Sequence, residues 1–311
     1  MQSWQADFVN AVLSVSLKPA LKRLGSVRAV RGGVYLGDQV LGRLATPPDI
    51  QVNAQLGDHE CSMEWISAKG GDSSTAQPVL LYLPGGAYIM RTPHLHRGLV
   101  SRLCKETGGR ALLCFYRLAP EHPFPAGLED ALEAYQLMLD KGIDPRQIVI
   151  VGDSAGGGLT LSLMLRLKEL ELPQPAGGVL MSPLLDMTEH APSRSKNARR
   201  DAALPPASRR GINPRDLYIN DTDHKNPLVS PVYGDLHGLP PCYLLVSDTE
   251  MLLDDSLRLA RRAHQYRMRV KLDIWHRLPH VWVSIPLLPE SGWALRRIGQ
   301  FIRTLPDGGG S

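Results

Sequence analysis

Short apolar runs alternate with longer amphipathic stretches from residue 78 onward. The runs are unbroken and of strand length, as expected of buried strands: PVLLYL, ALLCFYR, QIVIV, GGVLMS, CYLLVS and VKLDIW. The stretches between them have helical periodicity, at 94–107, 126–140, 155–170, 251–266 and 291–304. This alternation predicts an α/β fold whose mostly parallel central sheet is flanked by helices on both faces.

Length and charge narrow the possible classes. The 311 residues are enough for one large α/β domain or two small ones. The formal net charge of +4 is small for this size and a poor indication of a nucleic-acid partner, so none is expected. No apolar stretch reaches the roughly 18–20 residues of a membrane helix. The N-terminus also lacks the basic region and apolar core of a signal peptide.

The cysteines are scattered and show neither metal-ligand nor redox-motif spacing: Cys61, Cys104, Cys114 and Cys242. Two of them stand in apolar runs, where a thiol behaves as a small hydrophobic group. Reduced cysteines of this kind are typical of a cytoplasmic protein, and this is the location we expect.

Two regions interrupt the alternation. Residues 1–50 contain a plausible amphipathic helix at about 5–24, followed by Gly- and Pro-rich sequence typical of loops. Residues 187–226 form a long insertion between two predicted strands, which makes them a candidate lid. Its arginines have no interleaved aromatic residues and indicate a solvated surface. Residues 306–311 have the composition of a flexible tail.

The stretch IVGDSAGGGL, residues 150–159, carries the strongest chemical signal. It matches G-x-S-x-G at Gly152, Ser154 and Gly156, between a predicted strand and a predicted helix. Such a turn exposes the serine hydroxyl on strained backbone, and larger neighbours would clash across it. The helix N-terminus behind it favours developing negative charge. Ser154 is therefore the candidate nucleophile.

A serine nucleophile needs a base and an acid that orients the base, in the chain order serine, acid, histidine for this architecture. Three histidines follow CYLLVS. His264 lies inside a predicted helix and His276 ends the last predicted strand. His280 lies in the loop after that strand, from which an imidazole can reach the serine. The pattern favours His280, with His276 as the alternative.

The acid is expected in SDTEMLLDD, directly after CYLLVS. Asp254 and Asp255 fall in the first turn of the next predicted helix, where the helix dipole stabilises a carboxylate whatever its function. Spacing alone leaves Asp248 and Glu250 as nearly equal candidates.

Three motifs occur together and in order: the glycine turn at 84–87, YRLAPEHPFPAGLED at 116–130 and GDSAGG at 152–157. With SPLLDMT, LLVSDTEMLLDDS and LPHVW, they resemble the blocks of the hormone-sensitive-lipase-like esterases of the α/β-hydrolase fold. The resemblance spans roughly residues 78–285. It implies an α/β-hydrolase core with a helical cap. The corresponding ranges are 51–186 and 227–305 for the core, and 1–50 and 187–226 for the cap.

The resemblance also favours one acid. The family places its carboxylate ahead of a Leu-x-Asp step, and Glu250 occupies that register in EMLLD, although glutamate is the less usual residue there. Asp254 then has a supporting role, and Asp248 is disfavoured. The implied activity is hydrolysis of short to medium acyl esters by a Ser154–Glu250–His280 triad through an acyl-enzyme. This chemistry needs no metal or organic cofactor.

An oxyanion hole of backbone N–H groups is implied as well. The family usually has His-Gly-Gly-Gly where this chain has Pro84 to Ala87. The implied donors are Gly86, Ala87 and Ala155, and Gly85 belongs to the same hole mainly by giving clearance. Ala87 can donate if its φ is negative or mildly strained. We expect the fixed φ of Pro84 to replace the anchoring that a histidine would provide.

Two further residues are expected to support the site. Asp153, beside the nucleophile, is expected to order nearby loops, and His122 is expected to help fix a loop near the active site.

Three alternatives remain. A lactone or amide hydrolase would use the same triad. A non-catalytic small-molecule binding protein of this fold is disfavoured, because the serine, acid and histidine positions are all filled. An impaired enzyme is conceivable because the glycine turn is altered. The expected partner is a small-molecule ester, and a homodimer through the strand VKLDIW is possible if that strand lies at a sheet edge.

Overall fold

The apolar runs form one sheet in the computed structural model, which describes residues 2–23, 25–47, 49–57, 61–68, 77–188, 190–206 and 212–305. Within these residues the strands are β1 Ile50–Leu56, β2 Ser62–Ala68, β3 Val79–Leu83, β4 Arg110–Phe115, β5 Ile148–Asp153, β6 Gly177–Met181, β7 Cys242–Ser247 and β8 Val270–Trp275. Their order is β1-β2-β4-β3-β5-β6-β7-β8. Every pairing from β4 to β8 is parallel, so the predicted α/β fold is confirmed.

The antiparallel strands β1 and β2 have no counterpart in the sequence prediction. β1 is an outermost strand with mostly exposed residues, so it lacks the apolar run that marks a buried strand. β2 pairs antiparallel with both β1 and β4. At the opposite side of the sheet, β8 is the other outermost strand, so the condition for a possible pairing through VKLDIW is met.

The central strands separate two apolar cores. Alternate side chains of β3 face opposite sides: Leu81 and Leu83 belong to one cluster, Leu80 and Tyr82 to the other. β3, β5, β6 and β7 are buried along their whole length. Burial on both faces is why these segments lack polar alternation.

The N-terminal region is helical well beyond the predicted helix. It contains α1 Trp4–Val15, α2 Leu17–Arg23, α3 Val27–Gly37, a π-helical segment Asp38–Gly42 and α4 Arg43–Ala45. The expected loop after residue 24 is therefore wrong for this stretch. Ser26 caps α3 by accepting the Ala29 N–H at 3.2 Å, and the Asp38 carboxylate accepts the N–H groups of His94 and Leu95. These contacts outweigh the low helix propensity of the glycines.

The predicted helices of the core are confirmed, with ends shifted by at most two residues. They are α5 Pro93–Thr107, α6 Ala126–Asp140, α7 Ala155–Glu169, α10 Leu253–Gln265 and α11 Pro289–Arg303. The insertion after β6 contributes two short helices, α8 Ser193–Lys196 and α9 Pro214–Ile219. The predicted tail at 306–311 lies outside the described residues. In the described part of the chain, no helix combines the length and apolar character needed to cross a bilayer.

Candidate active site

Ser154 lies at the sharp turn between β5 and α7. Its backbone has φ 52° and ψ −118°, a conformation that L-residues rarely adopt. A Cβ at Gly152 would overlap the Gly156 carbonyl, and a Cβ at Gly156 would overlap the Leu83 carbonyl. The glycine spacing therefore lets the strained turn pack against β3 and present the serine.

His280 connects the serine to a buried carboxylate. Its Nε2 lies 2.9 Å from the Ser154 Oγ, and its Nδ1 lies 2.6 Å from Oε2 of Glu250. These residues come from three separate connections: the turn after β5, the loop after β7 and the loop after β8. The sheet brings them together because all three loops leave the carboxyl ends of parallel strands.

The Glu250 carboxylate is completely buried. Its Oε1 accepts the Ser182 hydroxyl at 3.0 Å and the Ser247 N–H at 2.7 Å. Burial raises the pKa of Glu250, and the hydrogen bonds from His280 and Ser247 oppose that effect. Burial by itself would lower the pKa of His280, but the hydrogen bond and charge of Glu250 outweigh it and raise that pKa above its ordinary value.

The alternative acid and base bind each other instead. The Asp248 carboxylate lies 2.7 Å from the His276 Nδ1 and accepts the Arg277 N–H at 2.8 Å, at the exposed end of β8. Glu250 and His280 form the pair that reaches Ser154. Spacing alone left the two acids nearly equal, although the position of His280 in the chain already favoured it over His276.

Two residues of the glycine turn have a geometry that bears on the expected oxyanion hole. The Gly85 N–H donates to Oδ1 of Asp153 at 2.9 Å and is therefore not a candidate donor, and a Cβ at Gly85 would overlap the Asp153 carboxylate, which fits the clearance expected of this residue. Ala87 has φ 51°, in the left-handed region. Its expected role as a donor required a φ that is negative or mildly strained. In the described part of the chain, the N–H groups of Gly86 and Ala87 have no acceptor. They, and the N–H of Ala155 at the start of α7, remain the candidate donors.

The turn is anchored although its histidine position holds proline. The Tyr116 hydroxyl donates to the Pro84 carbonyl at 2.7 Å, and both groups are buried. Tyr116 belongs to the YRLAPEHP motif, but nothing in that motif indicates this contact. The Asp153 bond to Gly85 fixes the next residue of the turn. Asp153 thus orders a neighbouring loop, as its position beside the nucleophile suggested.

A buried histidine, His96, also contacts the Asp153 carboxylate. His96 Nε2 lies 3.3 Å from Oδ1 of Asp153, and Nδ1 lies 2.9 Å from the Thr92 carbonyl. Both ring nitrogens face acceptors, which suits the cation. Burial opposes both charges, but the interaction between the two groups outweighs it, raising the pKa of His96 and lowering that of Asp153. The Tyr82 hydroxyl also donates to Asp153, at 2.7 Å.

The two remaining supporting candidates differ in what they contact. Oδ2 of Asp254 accepts the Ser193 N–H at 2.7 Å, and its own N–H donates to the Ser193 hydroxyl, so it holds the insertion. His122 is exposed, and the described residues offer its side chain no hydrogen bond. The side-chain contact of that loop is made by Glu121, which pairs with Arg31 of α3 at 2.7 Å. Among the described residues, no cluster of three or more His, Cys, Asp or Glu is arranged to hold a metal.

Comparisons with known proteins agree with this architecture. A family model of the α/β hydrolase fold matches residues 80–284. The chain is 36% identical to an acetyl-hydrolase of Streptomyces hygroscopicus, over 91% of each chain. It is 35% identical to an esterase of Acinetobacter venetianus, over 75% of this chain and 77% of that one.

Solved structures show the same similarity in three dimensions. The esterase EstE5 superimposes with a TM-score of 0.88 at 36% identity, covering 97% of this chain and 98% of that one. An esterase from the bacterial hormone-sensitive lipase family gives a TM-score of 0.88 at 36% identity, covering 98% and 99%. The chain therefore belongs to the α/β-hydrolase-fold family and, within it, to the hormone-sensitive-lipase-like esterases.

Proposed function

We propose that the protein hydrolyses carboxylic esters of short to medium acyl length with a Ser154–Glu250–His280 triad. The observation that carries this proposal is the continuous line of hydrogen bonds from Ser154 Oγ through the imidazole to Glu250, at 2.9 and 2.6 Å. Relatives support the acyl range. One is an acetyl-hydrolase, and crystals of EstE5 were soaked with p-nitrophenyl butyrate.

The geometry fits a two-step acyl transfer. His280 Nε2 takes the hydroxyl proton as Ser154 Oγ attacks the ester carbonyl. The N–H groups of Gly86, Ala87 and Ala155 then face the oxyanion. The tetrahedral species collapses, the alcohol leaves with the proton from His280, and an acyl-Ser154 ester remains. Water, deprotonated by His280, attacks that ester, and the serine recovers its proton as the acid departs.

Glu250 has an orienting role in this mechanism. Its carboxylate accepts a hydrogen bond from Nδ1–H and so directs the Nε2 lone pair towards Ser154. The same negative charge stabilises the imidazolium that forms when the serine is deprotonated.

We further infer that residues 1–50 and 187–226 form a cap over the core of residues 51–186 and 227–305. Two contacts near the glycine turn support this division. Arg31 of α3 donates to the Ile89 carbonyl at 2.6 Å. Tyr218 of α9 stacks on Tyr88, directly after the turn, with ring centroids 3.7 Å apart. Both cap regions thus contact the segment that follows the candidate oxyanion donors.

Hydrolysis of p-nitrophenyl esters of increasing acyl length tests the proposal. We expect turnover of the short to medium esters by the native chain and its loss in Ser154→Ala, with unchanged thermal unfolding. Hydrolysis that persists in Ser154→Ala would contradict the nucleophile assignment. Activity on lactones or anilides but not on esters would favour the alternative reaction with the same triad, and binding without turnover would favour a receptor.

A further inference from the structure

Residues of the insertion form hydrogen bonds to the loop that carries Glu250. We refer to residues 193–201 as the clamp segment and to residues 248–254 as the acid loop. Asn197 of the clamp segment is 4% exposed. Its Nδ2 donates to the Asp248 carbonyl at 3.0 Å and to the Glu250 carbonyl at 2.8 Å. One amide group therefore holds the backbone on both sides of residue 249.

Asp201 holds the next residue of the acid loop. Its side chain is buried, and Oδ2 accepts the Met251 N–H at 2.9 Å. The other oxygen accepts the N–H groups of Ala203 and Leu204, which fixes the carboxylate within its own turn. Backbone N–H groups satisfy both oxygens, so the carboxylate is held in one orientation.

Further hydrogen bonds connect the clamp segment to the acid loop on one side and to the N-terminal helices on the other. The Ser193 hydroxyl donates to the Met251 carbonyl at 2.7 Å. On the other side of the clamp segment, Nζ of Lys18 in α2 donates to the carbonyls of Ala198 and Asp201. A path of hydrogen bonds thus runs from the N-terminal helices through the clamp segment to the residues beside Glu250.

We propose that Asn197 and Asp201 are positioning residues for hydrolysis, because their hydrogen bonds to the acid loop fix the Glu250 carboxylate against His280. The proposal rests on the triad proposed above. Without the clamp segment, the backbone of the acid loop would lose its hydrogen-bond partners at Asp248, Glu250 and Met251. Displacements of about 1 Å at an orienting group cost on the order of a hundredfold in rate.

The negative charge of Asp201 changes the pKa of His280 in a definite direction. The charged groups that act on His280 are Glu250 in direct contact, Asp201 from the clamp segment and Asp153 from the serine turn. All three favour the imidazolium and raise the pKa of His280 against the effect of burial. Removal of the Asp201 charge should therefore lower that pKa. The acid limb of the pH dependence of kcat/KM should then move to lower pH.

Three variants separate geometry from charge. Asp201→Asn removes the charge and Asp201→Glu keeps it, while Asn197→Ala removes both amide donors without changing charge. We expect kcat to fall about 10–100-fold in each, with KM within about twofold. The acid limb should move further to lower pH in Asp201→Asn than in the other two variants, which keep the charge at residue 201. Asp216→Asn, an exposed change in the same insertion, is the matched control and should behave like the native chain.

Native kcat and an unmoved acid limb in Asp201→Asn would overturn the proposal. A loss that follows only the fraction of unfolded protein, measured by thermal unfolding of each variant, would also overturn it. If Asp201→Asn does not fold, Asp201→Glu and Asn197→Ala still decide the positioning role through kcat at unchanged KM. Failure of the triad itself is recognised separately, because Ser154→Ala would then retain hydrolysis.

Discussion

Asp153 accepts the backbone N–H of Gly85 at 2.9 Å, so the residue before the candidate nucleophile holds the glycine turn. The serine turn and the turn that carries the candidate oxyanion donors are therefore joined, at the carboxyl ends of the neighbouring strands β3 and β5. The His96 ring lies 3.3 Å from the carboxylate that joins them, and this contact raises the pKa of His96 against the effect of burial. A fixed oxyanion site needs such support, because donors stabilise the transition state only if they do not have to reorganise.

The hydroxyl of Tyr116 should matter for turnover more than for binding. Tyr116→Phe removes its bond to the Pro84 carbonyl and leaves that buried acceptor unpaired. We expect kcat to fall about tenfold with little change in KM, because a loosened turn misplaces the donors of Gly86 and Ala87. The free energy of unfolding should fall by about 1–3 kcal/mol. Steady-state kinetics and urea unfolding measure both.

Tyr135→Phe is the matched control for that change. The Tyr135 hydroxyl donates to the Pro173 carbonyl at 2.9 Å, on α6 and away from the turn. It should show a similar loss of stability with native kcat. Equal kinetics in the two variants would contradict an anchoring role for Tyr116.

Activity should decline as the pH falls, and the midpoint of this decline should lie above the ordinary pKa of histidine. His280 must be neutral to accept the serine proton, and its pKa is raised in the folded protein. The kcat/KM value should therefore be full above this pKa and decline as pH falls through it, with a midpoint above about 6.5. A pH–rate profile checks this in buffers of constant ionic strength. A midpoint below the ordinary value would mean that burial outweighs the Glu250 charge.

The two acid–histidine pairs should differ sharply when mutated. Glu250→Gln removes the carboxylate that orients His280, and we expect kcat to fall about a thousandfold or more. Asp248→Asn changes the surface pair with His276 and should leave kcat within about twofold. Both proteins should be folded by circular dichroism. The reverse ranking would show that Asp248, not Glu250, is the acid.

Ala87 should tolerate glycine and not proline. Its φ of 51° costs an alanine about 1–2 kcal/mol, part of which glycine recovers. Ala87→Gly keeps the N–H and should retain native kcat with stability unchanged or raised by up to about 1 kcal/mol. Ala87→Pro lacks the N–H and cannot adopt this φ, so kcat should fall about 10²–10³-fold. Loss of activity in Ala87→Gly would show that the methyl group itself is needed.

The edge position of β8 leads to a prediction about assembly. Ile274 on this strand is 51% exposed, and an outermost strand presents unpaired backbone groups. We expect a homodimer paired through β8, and Ile274→Lys should convert it to a monomer. Sedimentation velocity distinguishes the two states. A native chain that remains monomeric at high concentration would rule out this pairing.

The sequence by itself determined the parts of the protein that depend on local pattern. Unbroken apolar runs identified β3 to β7, because strands buried on both faces cannot alternate with polar residues. The run VKLDIW also identified β8, although this edge strand is partly exposed. Gly152 and Gly156 identified the turn of Ser154, because larger side chains would overlap the neighbouring backbone. The motif register favoured Glu250, which is the carboxylate that contacts His280.

Only the tertiary structure decided features that depend on distant partners. The exposed strand β1 and the glycine-containing helix α3 have weak local signals. β1 forms because it pairs with β2, and α3 forms because Asp38, directly after it, caps α5. The engagement of Gly85 by Asp153 is a contact across 68 residues, and the grip of Asn197 on the Glu250 carbonyl spans 53. Such contacts link segments whose spacing in the chain carries no information about their distance. The fold places them together at the carboxyl ends of the strands.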